Sequence, residues 1–134
     1  MKPKSALVRN YMARDLISFY PDTDVLDAIH DLVEHRVAGA PVVDRHGDLI
    51  GMLSELDCMQ VTLEASYYGQ RGGPVSDYMT SNVETVDAEM NVIDLAEHFR
   101  TSQFRRFPVV KDGRLVGQIS RRDVLRALLE LGAG

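Results

Sequence analysis

The apolar positions of this chain switch between two periods, and the switch happens twice in the same order. Val25, Leu26, Ala28, Ile29, Leu32 and Val33 share one face at a 3.6-residue spacing. So do Val92, Ile93, Leu95, Ala96 and Phe99, and each run predicts an amphipathic helix. Asp24 and Asn91 stand as candidate N-caps, with Asp27 and Asp94 three residues later. A short extended piece precedes each helix, Leu16 to Phe19 in one case and Val83 to Val86 in the other. After each helix come two short strands around a glycine turn. Ala40 to Val43 and Asp48 to Leu53 flank Arg45-His46-Gly47, and Phe107 to Val110 and Arg114 to Ile119 flank Asp112-Gly113, a strong hairpin signal. The apolar run of each second strand is read as ending at a glycine turn, Gly51 or Gly117, and passing into a closing helix. Leu56, Met59, Val61 and Leu63 supply its apolar positions the first time, and Val124, Leu125, Leu128, Leu129 and Leu131 the second. The predicted order is β-α-β-β-α, twice.

The recurrence is residue for residue. Shifted by 67, Val8-x-Asn10-Tyr11-Met12 falls on Val75-x-Asp77-Tyr78-Met79, Val25 on Val92, and Pro41-Val42-Val43 on Pro108-Val109-Val110. One residue drops out at the hairpin turn, and at a shift of 66 Gly51, Ser54 and Asp57 fall on Gly117, Ser120 and Asp123. Residues 8–64 are therefore read as a first repeat and 75–131 as a second. Residues 65–74 join them, with the breaker cluster Gly69-Gln70-Arg71-Gly72-Gly73-Pro74. The linker tyrosines, Tyr67 and Tyr68, are read as packed or interfacial, with base stacking as an alternative. Neither repeat alone covers both faces of its sheet, so the repeats are expected to pack together with pseudo-two-fold symmetry. The class expected is α+β.

At 134 residues, 45% hydrophobic and 26% charged, this is the composition of an ordinary globular chain. No run of 18 apolar residues exists, and Met1-Lys2-Pro3-Lys4 opens without an apolar signal region, so neither a membrane span nor secretion is expected. The single cysteine, Cys58, is read as a small buried hydrophobe, and a cytoplasmic location follows. The net charge of −5 hides an asymmetry. Residues 100–126 hold seven arginines and one lysine against two acids, a net +6 that leaves −11 for the rest. A basic stripe on an acidic chain points to a local anion site more than to a nucleic-acid face, with a solvated face or dimer contacts as the equal alternative on charge alone. His30, His35 and His98 lack metal-ligand spacing, and no nucleophile stands beside a base, so neither a metal site nor catalysis is expected. The methionines are read as core.

The candidate chemistry lies in the twin Gly-x-x-Ser-x-x-Asp motifs. Serine followed three residues later by an acid is a capping arrangement. A helix start also attracts anions through its free N–H groups and dipole. On spacing alone each twin is a cap, or a cap that also holds an anion. Arg105, Arg106 and Arg121 stand beside the second copy only, and a pure cap does not call for them.

The doubled pattern of Met-[Ala/Thr], extended piece, helix, Pro-Val-Val, glycine turn and Gly-x-x-Ser-x-x-Asp resembles the CBS domain, named for cystathionine β-synthase. The resemblance spans residues 8–130 and implies a tandem pair, a Bateman module, of a kind that commonly forms a homodimer. It implies clefts that bind AMP, ADP or ATP, with S-adenosylmethionine as a further candidate, and it requires no cofactor. By the same resemblance the serine approaches phosphate and the aspartate takes the ribose hydroxyls. One cleft would use Ser120, Asp123, Arg105, Arg106 and Arg121, with a base side from Ala13, Ser18 and the backbone of Val37 to Ala40, where Ala38, Gly39 and Ala40 are small. Ala13 stands where the family has a threonine. The other would use Ser54 and Asp57, with Thr80, Thr85 and the backbone at Phe104 to Phe107, Arg105 included, on the base side. There Glu55 opposes phosphate, and Ala38 and Gly39 replace the two arginines. The function implied is a stand-alone regulatory module that senses nucleotides and acts on a partner protein, not an enzyme. The alternative is a ligand-free oligomerisation or scaffolding module, and nucleic-acid binding ranks behind both.

Overall fold

Both hairpins form, and each is the centre of its own compact unit. In the computed structural model, which describes residues 6–69 and 72–133, one unit is Ile17–Val83. The other joins the chain up to Leu16 to everything from Glu84 onward. We call them the middle and composite units. The middle unit holds α1 (Val25–His35), β1 (Gly39–Val43), β2 (Leu49–Ser54) and α2 (Glu55–Tyr68). The composite unit holds β3 (Val86–Asp87), α3 (Val92–Thr101), β4 (Arg106–Lys111), β5 (Arg114–Ser120) and α4 (Arg121–Ala133). The class is α+β, as expected.

The compact units are not the sequence repeats. The opening turn of each repeat pairs with the hairpin of the other. Ala13 and Gln118 exchange backbone hydrogen bonds of 2.8 and 2.9 Å, and Thr80 and Met52 exchange two of 2.9 Å. This exchange explains Gly51 and Gly117, which lie inside β2 and β5 and not at turns as expected. A Cβ on Gly117 would stand 2.7 Å from the Ala13 carbonyl and 2.6 Å from Met12 Sδ, and one on Gly51 would stand 2.5 Å from Met79 Sδ. Glycine is what lets the crossing segment lie flat on the strand. Beside each glycine the register slips, between Val42 and Val43 and between Val109 and Val110.

The extended pieces before the first helices are shorter than predicted. Of Leu16 to Phe19 only Phe19 bridges β1, in parallel with Val42, and of Val83 to Val86 only Val86 enters a strand. Proline explains the stop. Phe19 N–H donates to the Pro41 carbonyl at 3.0 Å and Val43 N–H to the Phe19 carbonyl at 2.9 Å. The next rung upstream would need an N–H on Pro41, which has none. Pro108 stands in the same register to Val86. The Asp112-Gly113 turn has positive φ at both residues, 52° and 81°, as a two-residue hairpin turn requires.

Asn91 caps α3 through its side chain, accepting from the Ile93 N–H at 2.8 Å, whereas Asp24 occupies the cap of α1 without such a bond. The closing helices differ most from expectation. Cys58 and Val61 on α2, and Val124 and Ala127 on α4, face the cores. Leu56, Met59 and Leu63 on α2 and Leu125 and Leu129 on α4 are exposed, Leu56 by 76% and Leu129 by 74%. A helix lying on one small sheet buries one stripe, so its second apolar stripe stays outside. Helix α2 also continues through Tyr68 into the expected linker. The side chains of Tyr67 and Tyr68, and all of Gln70 and Arg71, lie outside the described residues.

Candidate functional site

Strand β5 passes into α4 with no intervening loop, so Ser120 ends the strand and caps the helix. Asp123 N–H donates to Ser120 Oγ at 3.2 Å and Ser120 N–H donates to Asp123 Oδ2 at 2.9 Å, a reciprocal capping box. The twin is built alike. Asp57 N–H donates to Ser54 Oγ at 3.2 Å, Ser54 N–H to Asp57 Oδ2 at 2.9 Å, and Ser54 Oγ also donates to that oxygen at 2.9 Å. Both motifs are therefore caps, and what distinguishes them is what surrounds each cap.

Around Ser120 the register gathers cations. Arg106 opens β4 directly opposite Ser120, and directly opposed residues project to one face. The Arg105 carbonyl accepts the Arg121 N–H at 3.0 Å, which ties the helix start to the strand. The result is a cavity of about 550 Å³ walled by Ala13, Arg105, Arg106, Gln118, Ser120, Arg121, Arg122 and Asp123. Four guanidiniums face one carboxylate, for a net +3. Asp123 keeps one oxygen outside the cap, 3.8 Å from Arg126 Nη1. The corresponding positions of the middle unit are Ala38, Gly39, Glu55, Leu56 and Asp57, a net −2.

Two wall residues escaped the sequence reading. Arg122 follows Arg121 in the same first turn, so the arginine run itself was the missed signal. Gln118 has a buried side-chain nitrogen without a hydrogen-bond partner, and a lone glutamine in an apolar strand gives no warning of that. Its counterpart is Met52.

The family model for the CBS domain matches residues 8–64 and 75–130. The chain belongs to the CBS domain family. It is 32% identical to the chloroplastic CBS domain-containing protein CBSX1 of Arabidopsis thaliana, over 87% of this chain and 61% of that protein. The crystal structure of CBSX2 in complex with AMP superposes with a TM-score of 0.78 at 34% identity, covering 94% of this chain and 98% of that one. The CBS domain pair of protein MJ0100, in complex with 5′-methylthioadenosine and S-adenosyl-L-methionine, gives 0.71 at 25% identity, covering 96% and 98%. The chain spans 42% to 66% of the length of four curated relatives it matches.

The CBS pair distributes the other expected site residues over its two units. With Ser54 and Asp57 in the middle unit are Ser18, Ala38, Gly39, Ala40 and Thr80, while Thr85, Arg105 and Phe107 belong to the composite unit. Ala40 is buried, so only its backbone is offered to a ligand. Gly39 is small for the hairpin's sake, since a Cβ there would meet the Leu53 carbonyl at 2.9 Å. The Phe107 side chain cannot reach a ligand: it is 1% exposed, with Phe99 and His98 stacked against it at ring distances of 4.9 and 5.2 Å. His98 is half-buried in that stack and also meets Glu84 Oε1 at 2.7 Å.

Beside the Ser54 cap is an apolar groove of about 520 Å³ between α1 and α2, walled in part by Ile29, Val33, Val37, Cys58 and Met59. Cys58 is buried, as predicted, and burial, helped by the nearby Asp57 and Glu55 carboxylates, raises its thiol pKa. Among the described residues no three His, Cys, Asp or Glu side chains cluster as a metal site would require.

Proposed function

We propose that this CBS pair is a regulatory module that binds an adenosine nucleotide with its phosphate at the Ser120–Asp123 helix start and relays its occupancy to a partner protein. The cavity with four arginines around a capped helix start carries this reading. Guanidiniums bind phosphate oxygens in pairs, and the free Asp123 oxygen suits a ribose hydroxyl. The relatives with AMP, 5′-methylthioadenosine and S-adenosylmethionine support the adenosine class. The role is regulatory and not catalytic, since both aspartates are held in caps. No helix among the described residues is long and apolar enough to cross a membrane, and the proposed location is the cytoplasm. A homodimer is part of the proposal, seated on the exposed Leu56, Met59 and Leu63 row. Sedimentation as a monomer at micromolar concentration would remove it.

Thermal unfolding with AMP, ADP, ATP and S-adenosylmethionine tests the nucleotide reading. A ligand at about 100 times its Kd adds roughly 2.7 kcal/mol. The stabilisation is expected to vanish in Asp123→Ala and to persist in Asp57→Ala. No stabilisation by any of the four at millimolar concentration would leave the scaffolding alternative. That alternative fits the middle unit best, because there the Ser54 hydroxyl both accepts from and donates to Asp57.

A further inference from the structure

We infer that the cavity of the composite unit selects its ligand by phosphate number, taking a nucleoside di- or triphosphate in preference to a monophosphate and disfavouring a ligand with a cationic 5′ end. The inference rests on the nucleotide reading above and adds a specificity to it.

It begins from the supply of donors. Of the first-turn N–H groups of α4, that of Arg121 already donates to the Arg105 carbonyl and that of Asp123 to Ser120 Oγ. The helix start thus has little backbone capacity left for phosphate, and recognition falls to side chains. There the supply is large. Among the described residues no hydrogen bond or ion pair ties Arg105, Arg106 or Arg122 to a carboxylate, and Arg121 donates only to the Ser102 carbonyl at 3.2 Å. Like charges so arranged repel until an anion arrives.

A terminal phosphate carries about −1.5 to −2 at pH 7, and its free oxygens fill about two guanidinium forks. It would leave part of this +3 cavity unmatched, with cations still facing one another. A second and third phosphate extend the anion along the wall and engage the remaining arginines. The volume of about 550 Å³ falls within the range of small-molecule sites. A sulfonium or amine at the 5′ end would meet four cations. The twin positions, at net −2 with no arginine, show that the repeat itself does not demand this charge.

The experiment is calorimetric titration of the whole chain, without magnesium and at fixed ionic strength, with adenosine, AMP, ADP, ATP, S-adenosylmethionine and inorganic tripolyphosphate. Affinity is expected to rise roughly tenfold or more from AMP to ADP or ATP. Log affinity should fall more steeply with log salt for ATP than for AMP, because more charge is paired. Arg106→Gln and Arg122→Gln should each lower the ratio of ADP to AMP affinity, and circular dichroism confirms that each variant is folded. AMP binding as tightly as ADP and ATP overturns the selectivity and leaves the nucleotide reading intact. Tripolyphosphate binding with no adenosine compound bound overturns the nucleotide reading instead.

Discussion

The middle and composite units are built from the same repeat, yet their interiors and their charged surfaces have diverged in opposite ways. Positions Leu32, Val37 and Ala40 of the middle unit become Phe99, Phe104 and Phe107 in the composite unit. There the three rings pack on one another at centroid distances of 4.9 and 5.8 Å. The middle unit instead leaves an apolar groove between α1 and α2. Outside, Val33, Ala38, Gly39, Glu55 and Leu56 become Arg100, Arg105, Arg106, Arg121 and Arg122. One copy has become an aromatic core beneath a cationic cavity, and the other a smaller core beneath an apolar face. The backbone duplicates the cap, and the side chains decide what each cap serves.

The largest test of this contrast is in the cores. Phe107→Ala should cost about 3–5 kcal/mol in denaturant unfolding, because it removes a buried ring that three others contact. The matching residue, Ala40, is already alanine in a hairpin of the same register. A loss under about 1 kcal/mol would mean that the composite core closes over the gap, and that the aromatic cluster is not what sets it apart.

Next come the glycines, which test the shared feature. Gly117→Ala places a methyl group 2.6 Å from Met12 Sδ and 2.7 Å from the Ala13 carbonyl oxygen, and Gly51→Ala places one 2.5 Å from Met79 Sδ but 3.0 Å from the Thr80 carbonyl oxygen. A thioether can rotate away, but a carbonyl in a two-bond backbone bridge cannot move without breaking that bridge, and the carbonyl stands closer at Gly117. Gly117→Ala should therefore cost about 1–3 kcal/mol, and Gly51→Ala less, in paired thermal melts. Equal costs would show that Met12 and Met79, and not the backbone approach, set both glycines.

Much of this was legible in the chain itself. The doubled periodicity located all four helices, with α2 alone running on through Tyr68 into the expected linker, and Asp112-Gly113 announced its turn, because both signals are local. The arginines beside Ser120 were visible for the same reason. What stayed hidden depends on partners distant in sequence. Gly51 and Gly117 looked like turn residues because nothing local shows the segment lying across them. Leu56, Met59 and Leu63 looked like core because spacing marks apolar stripes without saying which one the sheet covers. Gln118 was missed because burial is a property of the packed unit.

The smallest prediction concerns a second feature that both units carry. An exposed acid before the first helix pairs with a cation at the hairpin, Asp22 with Arg45 at 3.0 Å and Glu89 with Lys111 at 3.1 Å. Among the described residues Glu89 alone of the two has a further partner, Arg9 Nη1 at 2.6 Å, which belongs to the crossing segment. The hydrogen bond from Lys111 leads, with Arg9 adding to it, in holding the Glu89 carboxyl below its ordinary value of 4.5. Its folded pKa is thus the lower one, and its contribution to stability is present above the unfolded value and is lost as pH falls through the folded one. Glu89→Gln should therefore lower the neutral plateau slightly, since exposed pairs contribute little, and leave the acid end nearly unchanged, which flattens the limb below about pH 4.5. Urea midpoints measured from pH 3 to pH 7 in low salt test this. If the acid limbs of wild type and variant coincide, the Arg9–Glu89–Lys111 cluster adds nothing to what ties the crossing segment down, which is then left to the backbone bonds of Val8 and Arg9 to Met90 and Ala88, those between Ala13 and Gln118, and the bond from Arg126 to the Tyr11 carbonyl.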